Sequence, residues 1–300
     1  MPEQLAHVHR DRGSRAASAG HEPTAAGEGV QRLVPRTLAD RIDDDIDSPA
    51  AGAIADLPSH VNGRVVEHPQ TGERTTLANL IITWHPERKE RILLAAHYDT
   101  RPFPDRDEKN PRGLFVGAND GASGVAVLCE LGRQMPKLES RYGVDFVLFD
   151  GEELIYTDRD DYFLGSKHFA KEYVANPQGH RYTQGALLDM VGDASLQIYY
   201  EQNSITWANT RPVVQSIWKT ARRLGVSEFI PRIGHLVRDD HLAIHDDAGI
   251  PMCDIIDFDY PHPAAKRSYW HTTDDVPANC SALSLAKVGW VVSEWLKGVK

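Results

Sequence analysis

His97, Asp99, Asp120, the adjacent pair Glu152-Glu153, Asp189 and His271 lie far apart in the chain, yet each is of a type that binds a divalent metal or moves a proton. Zinc is bound by imidazole nitrogen and carboxylate oxygen, and a catalytic zinc needs three protein ligands and one open position. Asp, Glu and His supply that set. Two neighbouring glutamates add a second function, because one can face a metal while the other faces substrate as a general acid or base. Carboxylates crowded into one partly buried site oppose each other's ionisation, and a bound cation removes that penalty.

The elements that must position these residues can be read from the hydrophobic pattern. TLANLIITW (76–84) and RILLAAHYD (91–99) are apolar, β-rich runs, and HPERKE between them supplies the polar turn of a hairpin, which makes them neighbouring strands. GASGVAVLCELGRQM (121–135) has apolar residues at helical spacing, and VDFVLFD (144–150) is a short apolar run typical of a strand buried on both faces. Together they form a β-α-β unit and a parallel strand pair. Helices are expected at 163–173, 211–225 and 281–299, with strands at 185–192 and 251–258. The fold class is α/β, a mixed, mostly parallel central sheet flanked by helices in one domain. In such sheets ligands bind beyond the carboxyl ends of the strands, where these residues fall.

Taken singly, each residue has a plainer reading. Asp120 would cap the helix that follows it, His97 would be a satisfied half-buried histidine, and Glu-Glu pairs are common on surfaces. Their convergence on one sheet rim favours a metal site. Composition narrows the alternatives. The 300 residues, 41% hydrophobic and 25% charged, suit one sizeable core. With 33 Lys and Arg against 43 Asp and Glu, the formal net charge of −10 argues against nucleic-acid and anionic-membrane partners. Cys129, Cys253 and Cys280 are too few and too widely spaced for a disulfide framework or a metal knuckle and read as buried or half-buried thiols.

Residues 1–50 are polar and rich in Ala, Gly, Arg and Asp, and read as a largely disordered N-terminal segment whose His7, His9 and His21 are solvated. The catalytic domain is expected over 51–300. No apolar segment follows the first Met and no run is long enough to span a membrane, so the sequence as written reads as cytoplasmic. Nothing in it sets an oligomeric state.

The series AAHYDT (95–100), GANDGASG (117–124), FDGEE (149–153), LLDMVG (187–192), DDH (239–241) and WHTTDD (270–275) resembles the M28 family of zinc peptidases over about residues 61–298. That resemblance implies a zinc ion on Asp120, Glu153 and His271, with Glu152 as acid/base. A second zinc on His97 and Asp189, bridged by Asp120, is implied for the two-zinc aminopeptidases.

Within the family the chain looks closest to the glutaminyl-peptide cyclotransferase branch, which converts N-terminal Gln to pyroglutamate with release of ammonia. Asp239 stands where the peptidases have Ser and resembles the cyclase acid that shares protons with the positions of Glu152 and Asp189. Trp270 resembles the aromatic that walls the glutamine pocket, and FLGSKH (163–168) is similar to a cyclase segment. GANDGASG looks more like the peptidase version, and Arg238 departs from the uncharged or acidic residue usual in cyclases. The expectation is therefore a zinc-dependent cyclotransferase acting on peptide or protein N-termini. An M28-type zinc aminopeptidase is the alternative, and a non-catalytic binding module on the same fold comes third.

Overall fold

The computed structural model describes residues 59–299, apart from 178, 262, 263, 265 and 266. The segment 1–50, with its three histidines, lies outside the described residues.

Six strands form the central sheet: β1 (Ser59–Glu67), β2 (Arg74–Trp84), β3 (Glu90–His97), β4 (Gly143–Phe149), β5 (Arg181–Asp189) and β8 (Met252–Ile256). Their spatial order is β1-β2-β4-β3-β5-β8. β4, β3, β5 and β8 run parallel, while β1 and β2 make the antiparallel edge. The sheet is thus mixed and mostly parallel, as expected. β6 (Ile198–Tyr200) and β7 (Phe229–Ile233) form a small separate parallel pair that the hydrophobic pattern did not reveal.

One expectation fails. β2 and β3 are not a hairpin, because β4 lies between them, antiparallel to β2 and parallel to β3. The hairpin is instead β1-β2. The turn at 85–90 bridges over the start of β4, and buried Arg91 explains how. Its guanidinium donates to the carbonyls of Trp84, His85 and Arg88 in that turn and of Val144 on β4.

Both faces of the sheet are covered. α1 (Ala122–Gly132), α4 (Arg211–Leu224) and α6 (Ala282–Gly298) pack on one face, against Ile92, Leu94 and Ala96 of β3. α2 (Leu164–Ala175) and α5 (Asp240–Ala248) pack on the other, against Leu93 and Ala95. The alternation follows from the two-residue period of a strand. A short α3 (Gln202–Thr206) links β6 to α4. Cys253 is buried and Cys129 and Cys280 are half-buried, all three as free thiols. No helix among the described residues is long and apolar enough to cross a membrane.

Candidate metal centre

The parallel strands end where the chemistry gathers. β3 stops at His97, β5 stops at Asp189, and β4 is followed within four residues by Glu152 and Glu153. Asp120 sits in the loop between β3 and α1. Gly121, at φ 89°, ends that loop, and a Cβ there would meet the Asp99 carbonyl and the His97 ring. A Cβ on Gly124 would collide with the Leu188 carbonyl, so only glycine lets α1 start this close to β5. The Asp120 side chain does not cap the helix. The reading of Asp120 as a cap is therefore overturned.

Two groups of side chains share Asp120. His97 Nε2 lies 3.3 Å from Asp120 Oδ1 and 3.3 Å from Asp189 Oδ1. His271 Nε2 lies 2.8 Å from Glu153 Oε1 and 3.5 Å from Asp120 Oδ2. Within each group, His97-Asp120-Asp189 and Asp120-Glu153-His271, the candidate ligand atoms fall within 4.8 Å of one another. All five residues are buried, as is Glu152, so neither the half-buried His97 nor a surface Glu-Glu pair survives as a reading.

Carboxylates behind the groups hold them in place. Asp99 accepts the N–H of Glu152 at 3.1 Å and of Glu153 at 2.9 Å, which fixes the divergent pair. Asp275 accepts from Asn119 N and Asp120 N and clamps the loop that carries Asp120. Arg101 reaches Glu153 Oε1 at 3.1 Å and Asp105 at 2.7 Å, and Asp105 Oδ1 lies 3.3 Å from His271 Nδ1. Sequence reasoning assigned no role to Asp275, Asp105, Arg101 or Asp240. The first and last stand inside the motifs WHTTDD and DDH, where their acid type was the available signal.

The arrangement shows the marks of a cation site. His97 Nδ1 and His271 Nδ1 face Asp99 and Asp105 and leave Nε2 of each ring to the clusters, while Asp120 Oδ2, Glu153 Oε2 and Asp189 Oδ1 are buried and make no hydrogen bond. Buried polar atoms are rarely left so, and a metal accepts such lone pairs. Burial, reinforced by the Glu153 charge, raises Asp120 to about 7. Burial and the Glu153, Asp239 and Asp240 charges hold Glu152 well above the usual range. Asp239 is likewise raised by burial and then by Asp189 and Asp240. Burial works against Glu153 too, but the His271 hydrogen bond and charge bring it below its ordinary value.

Asp120, Glu152, Glu153, Asp189, Asp239 and His271 line a cleft of about 410 Å³ that also includes Tyr162, Phe258 and half-buried Trp270. Trp270 packs on Phe258 with ring centroids 4.9 Å apart. Asp239 lies inside, its Oδ1 accepting the Asp240 N–H and its Oδ2 making no hydrogen bond. Three cleft residues other than glycine, Phe163, Met190 and His271, hold φ of 62°, 49° and 55°. Backbone in that region is disfavoured for such side chains and gathers at functional sites.

A mixed α/β sheet that brings two Asp-sharing clusters of His and carboxylate together beyond its strand ends has the donor groups that a metal-dependent enzyme needs. The chain belongs to peptidase family M28, whose pattern matches residues 79–296. A bovine (Bos taurus) glutaminyl-peptide cyclotransferase is 27% identical over 235 residues, 68% of this chain and 61% of that protein, so the match spans under two thirds of the relative's length. The crystal structure of Fimbriiglobus ruber glutaminyl cyclase superposes with a TM-score of 0.76 at 31% identity, covering 96% of this chain and 100% of the other. A Zn-dependent exopeptidase from Parabacteroides distasonis gives 0.73 at 30% identity over 91% of this chain and 95% of its own.

Proposed function

We propose that the protein is a zinc-dependent glutaminyl-peptide cyclotransferase acting on peptide or protein N-termini. Zinc fits the orphaned carboxylate oxygens of Asp120 and Glu153 together with the His271 imidazole, an oxygen and nitrogen donor set with room for one exchangeable position. When bound, zinc would polarise the γ-carbonyl of an N-terminal glutamine and stabilise the oxyanion that develops there.

The protein's own groups do the rest. Trp270 and Phe258 form the apolar wall against which the glutamine side chain would lie. The substrate α-amine forms the new bond to the γ-carbonyl carbon while the bond from that carbon to the amide nitrogen breaks. Glu152 takes a proton from the attacking amine and passes it to the departing nitrogen, which leaves as ammonia. A carboxylate suits such two-way transfer when its pKa is raised, as burial and nearby charges raise that of Glu152. Asp239, whose charge helps to raise Glu152, faces the same cleft.

The observation that carries this reading is Asp239, a buried acid facing the same cleft as Glu152 and Trp270. The names borne by the bovine relative and the Fimbriiglobus structure support it. The aminopeptidase reading has its own support in the His97-Asp120-Asp189 group, which could hold a second metal. Glu152 would then take a proton from a water attacking the first peptide bond.

Incubating the zinc-loaded protein with an N-terminal Gln peptide and a Leu peptide, and following masses, separates the two. The expected result is loss of one ammonia from the Gln peptide, with the Leu peptide intact and one zinc per chain. Removal of the terminal residue from the Leu peptide, with two zinc ions per chain, would replace the cyclase by the peptidase.

A further inference from the structure

The cleft is acidic at its floor and basic at its mouth. Asp120, Glu152, Glu153, Asp189 and Asp239 line the depth, and Arg106 and Arg238 stand at the exposed rim. The third arginine of the cleft, Arg101, is occupied by Asp105 and Glu153. Among the described residues, the guanidiniums of Arg106 and Arg238 make neither a hydrogen bond nor an ion pair. Asp158 shares the rim and pairs with neither. In a chain of net charge −10, these two unpaired cations outnumber Asp158 at the opening and leave it locally positive.

Arg106 is held in place by the site itself, and Arg238 is tied to it through the chain. The Arg106 guanidinium lies 4.1 Å from the Trp270 ring centroid, and the Arg106 N–H donates to the His271 carbonyl. Arg238 directly precedes Asp239, and its guanidinium lies 6.0 Å from the Tyr162 ring. Stacking on an aromatic face restricts a guanidinium and leaves its N–H edge free to meet a carboxylate. A peptide whose first residue fills the acidic floor would run its next residues through the opening that these two side chains border together with Asp158 and Leu236.

We infer that Arg106 and Arg238 are specificity-determining residues that select substrates carrying a carboxylate just after the N-terminal residue. This rests on the proposal that the cleft binds peptide N-termini, and it deepens that proposal by naming the class of peptide. The carboxylate could be an acidic second side chain or the α-carboxylate of a dipeptide.

The test is a comparison of affinities on zinc-loaded Glu152→Gln protein, which removes the acid/base group, so that binding is read whichever reaction the enzyme performs. Calorimetry would compare Gln-Glu-Ala-amide, Gln-Gln-Ala-amide and Gln-Lys-Ala-amide, with Gln-Ala as free acid against Gln-Ala-amide. The Glu peptide should bind roughly three- to tenfold tighter than its Gln counterpart, as one to two partly exposed ion pairs allow. That ratio should shrink as salt is raised and vanish when Arg106→Gln and Arg238→Gln are combined. A preference confined to the free acid assigns the pair to a dipeptide's own terminus, and one confined to Gln-Glu-Ala-amide assigns it to a side chain. Equal affinities throughout, or a preference that survives the double substitution, would overturn the inference. Failure of the cyclase reading shows separately, as absence of ammonia release by the wild type from every Gln peptide.

Discussion

At the start of β3 and β4 the five N–H groups of the Arg91 guanidinium meet six acceptors, one of them by a shared N–H, with Asp145 taken at 2.7 and 2.8 Å, and Tyr182 adds its hydroxyl to the same carboxylate. At the finish of β3, β4 and β5, Asp120, Glu153 and Asp189 each leave a buried carboxylate oxygen without any such bond. Both ends bury charge. The first end is closed, since every donor of Arg91 meets an acceptor within the protein, and a buried ion pair is tolerated only on those terms. The second end leaves acceptors that no donor within the protein meets. Saturation of hydrogen bonds, rather than burial or charge, separates the ion pair that holds the sheet together from the cluster that would act on a substrate.

The largest effect that could break this contrast is on rate. Glu152→Gln should lower kcat/KM on the order of 10²- to 10⁴-fold, the usual contribution of a positioned acid or base. The melting temperature should hold or rise, because the substitution removes an acid that burial and three neighbouring carboxylates already disfavour as an anion. A variant that kept its rate and lost stability would make the open end structural.

The next effect is on folding at the closed end. Arg91→Met leaves the buried Asp145 carboxylate without its guanidinium and with the Tyr182 hydroxyl still donating to it, and should cost about 3–5 kcal/mol in denaturant unfolding. Arg91→Met combined with Asp145→Leu should recover much of that loss, since no charge then stays unpaired. If the single variant unfolds like wild type, the Arg91 clamp between the turn at 85–90 and β4 does not hold the sheet together.

Much of this was legible in the sequence where side-chain type and strand ends coincide. The runs ending in His97 and Asp189, the GANDGASG loop and the pair Glu152-Glu153 mark the rim because polar residues stop otherwise apolar strands. Strand neighbours were not legible. Residues 76–84 and 91–97 are apolar in either arrangement, and the insertion of β4 between them depends on Arg91, whose partners include Val144 and Asp145 more than 50 positions away. The supporting acids were hidden for a similar reason. Asp275 matters by accepting the N–H groups of Asn119 and Asp120 across 156 and 155 residues, a distance that no local pattern reports.

The smallest effect tests whether every under-bonded acid at the open end belongs to the site. Asp257 follows β8 and is 1% exposed, with Oδ2 accepting the Gln197 N–H at 2.7 Å and Oδ1 making no hydrogen bond. Burial pushes it up to about 8, with the Gln197 N–H opposing and the Asp193 charge adding. Its folded pKa thus lies above the unfolded value, so the folded state holds this proton more tightly than the unfolded chain. The resulting stability is complete below about pH 4, falls as pH rises toward 8, and is flat beyond. Asn cannot ionise and escapes that loss. Thermal melts of Asp257→Asn and wild type from pH 4 to 9 should therefore diverge in favour of Asn as pH rises and run parallel above about 8, while kcat/KM keeps the wild-type pH profile. Divergence toward acid would mean that Asp257 is ionised and paired, whereas a changed rate profile would move Asp257 from the packing of β8 into the catalytic cluster.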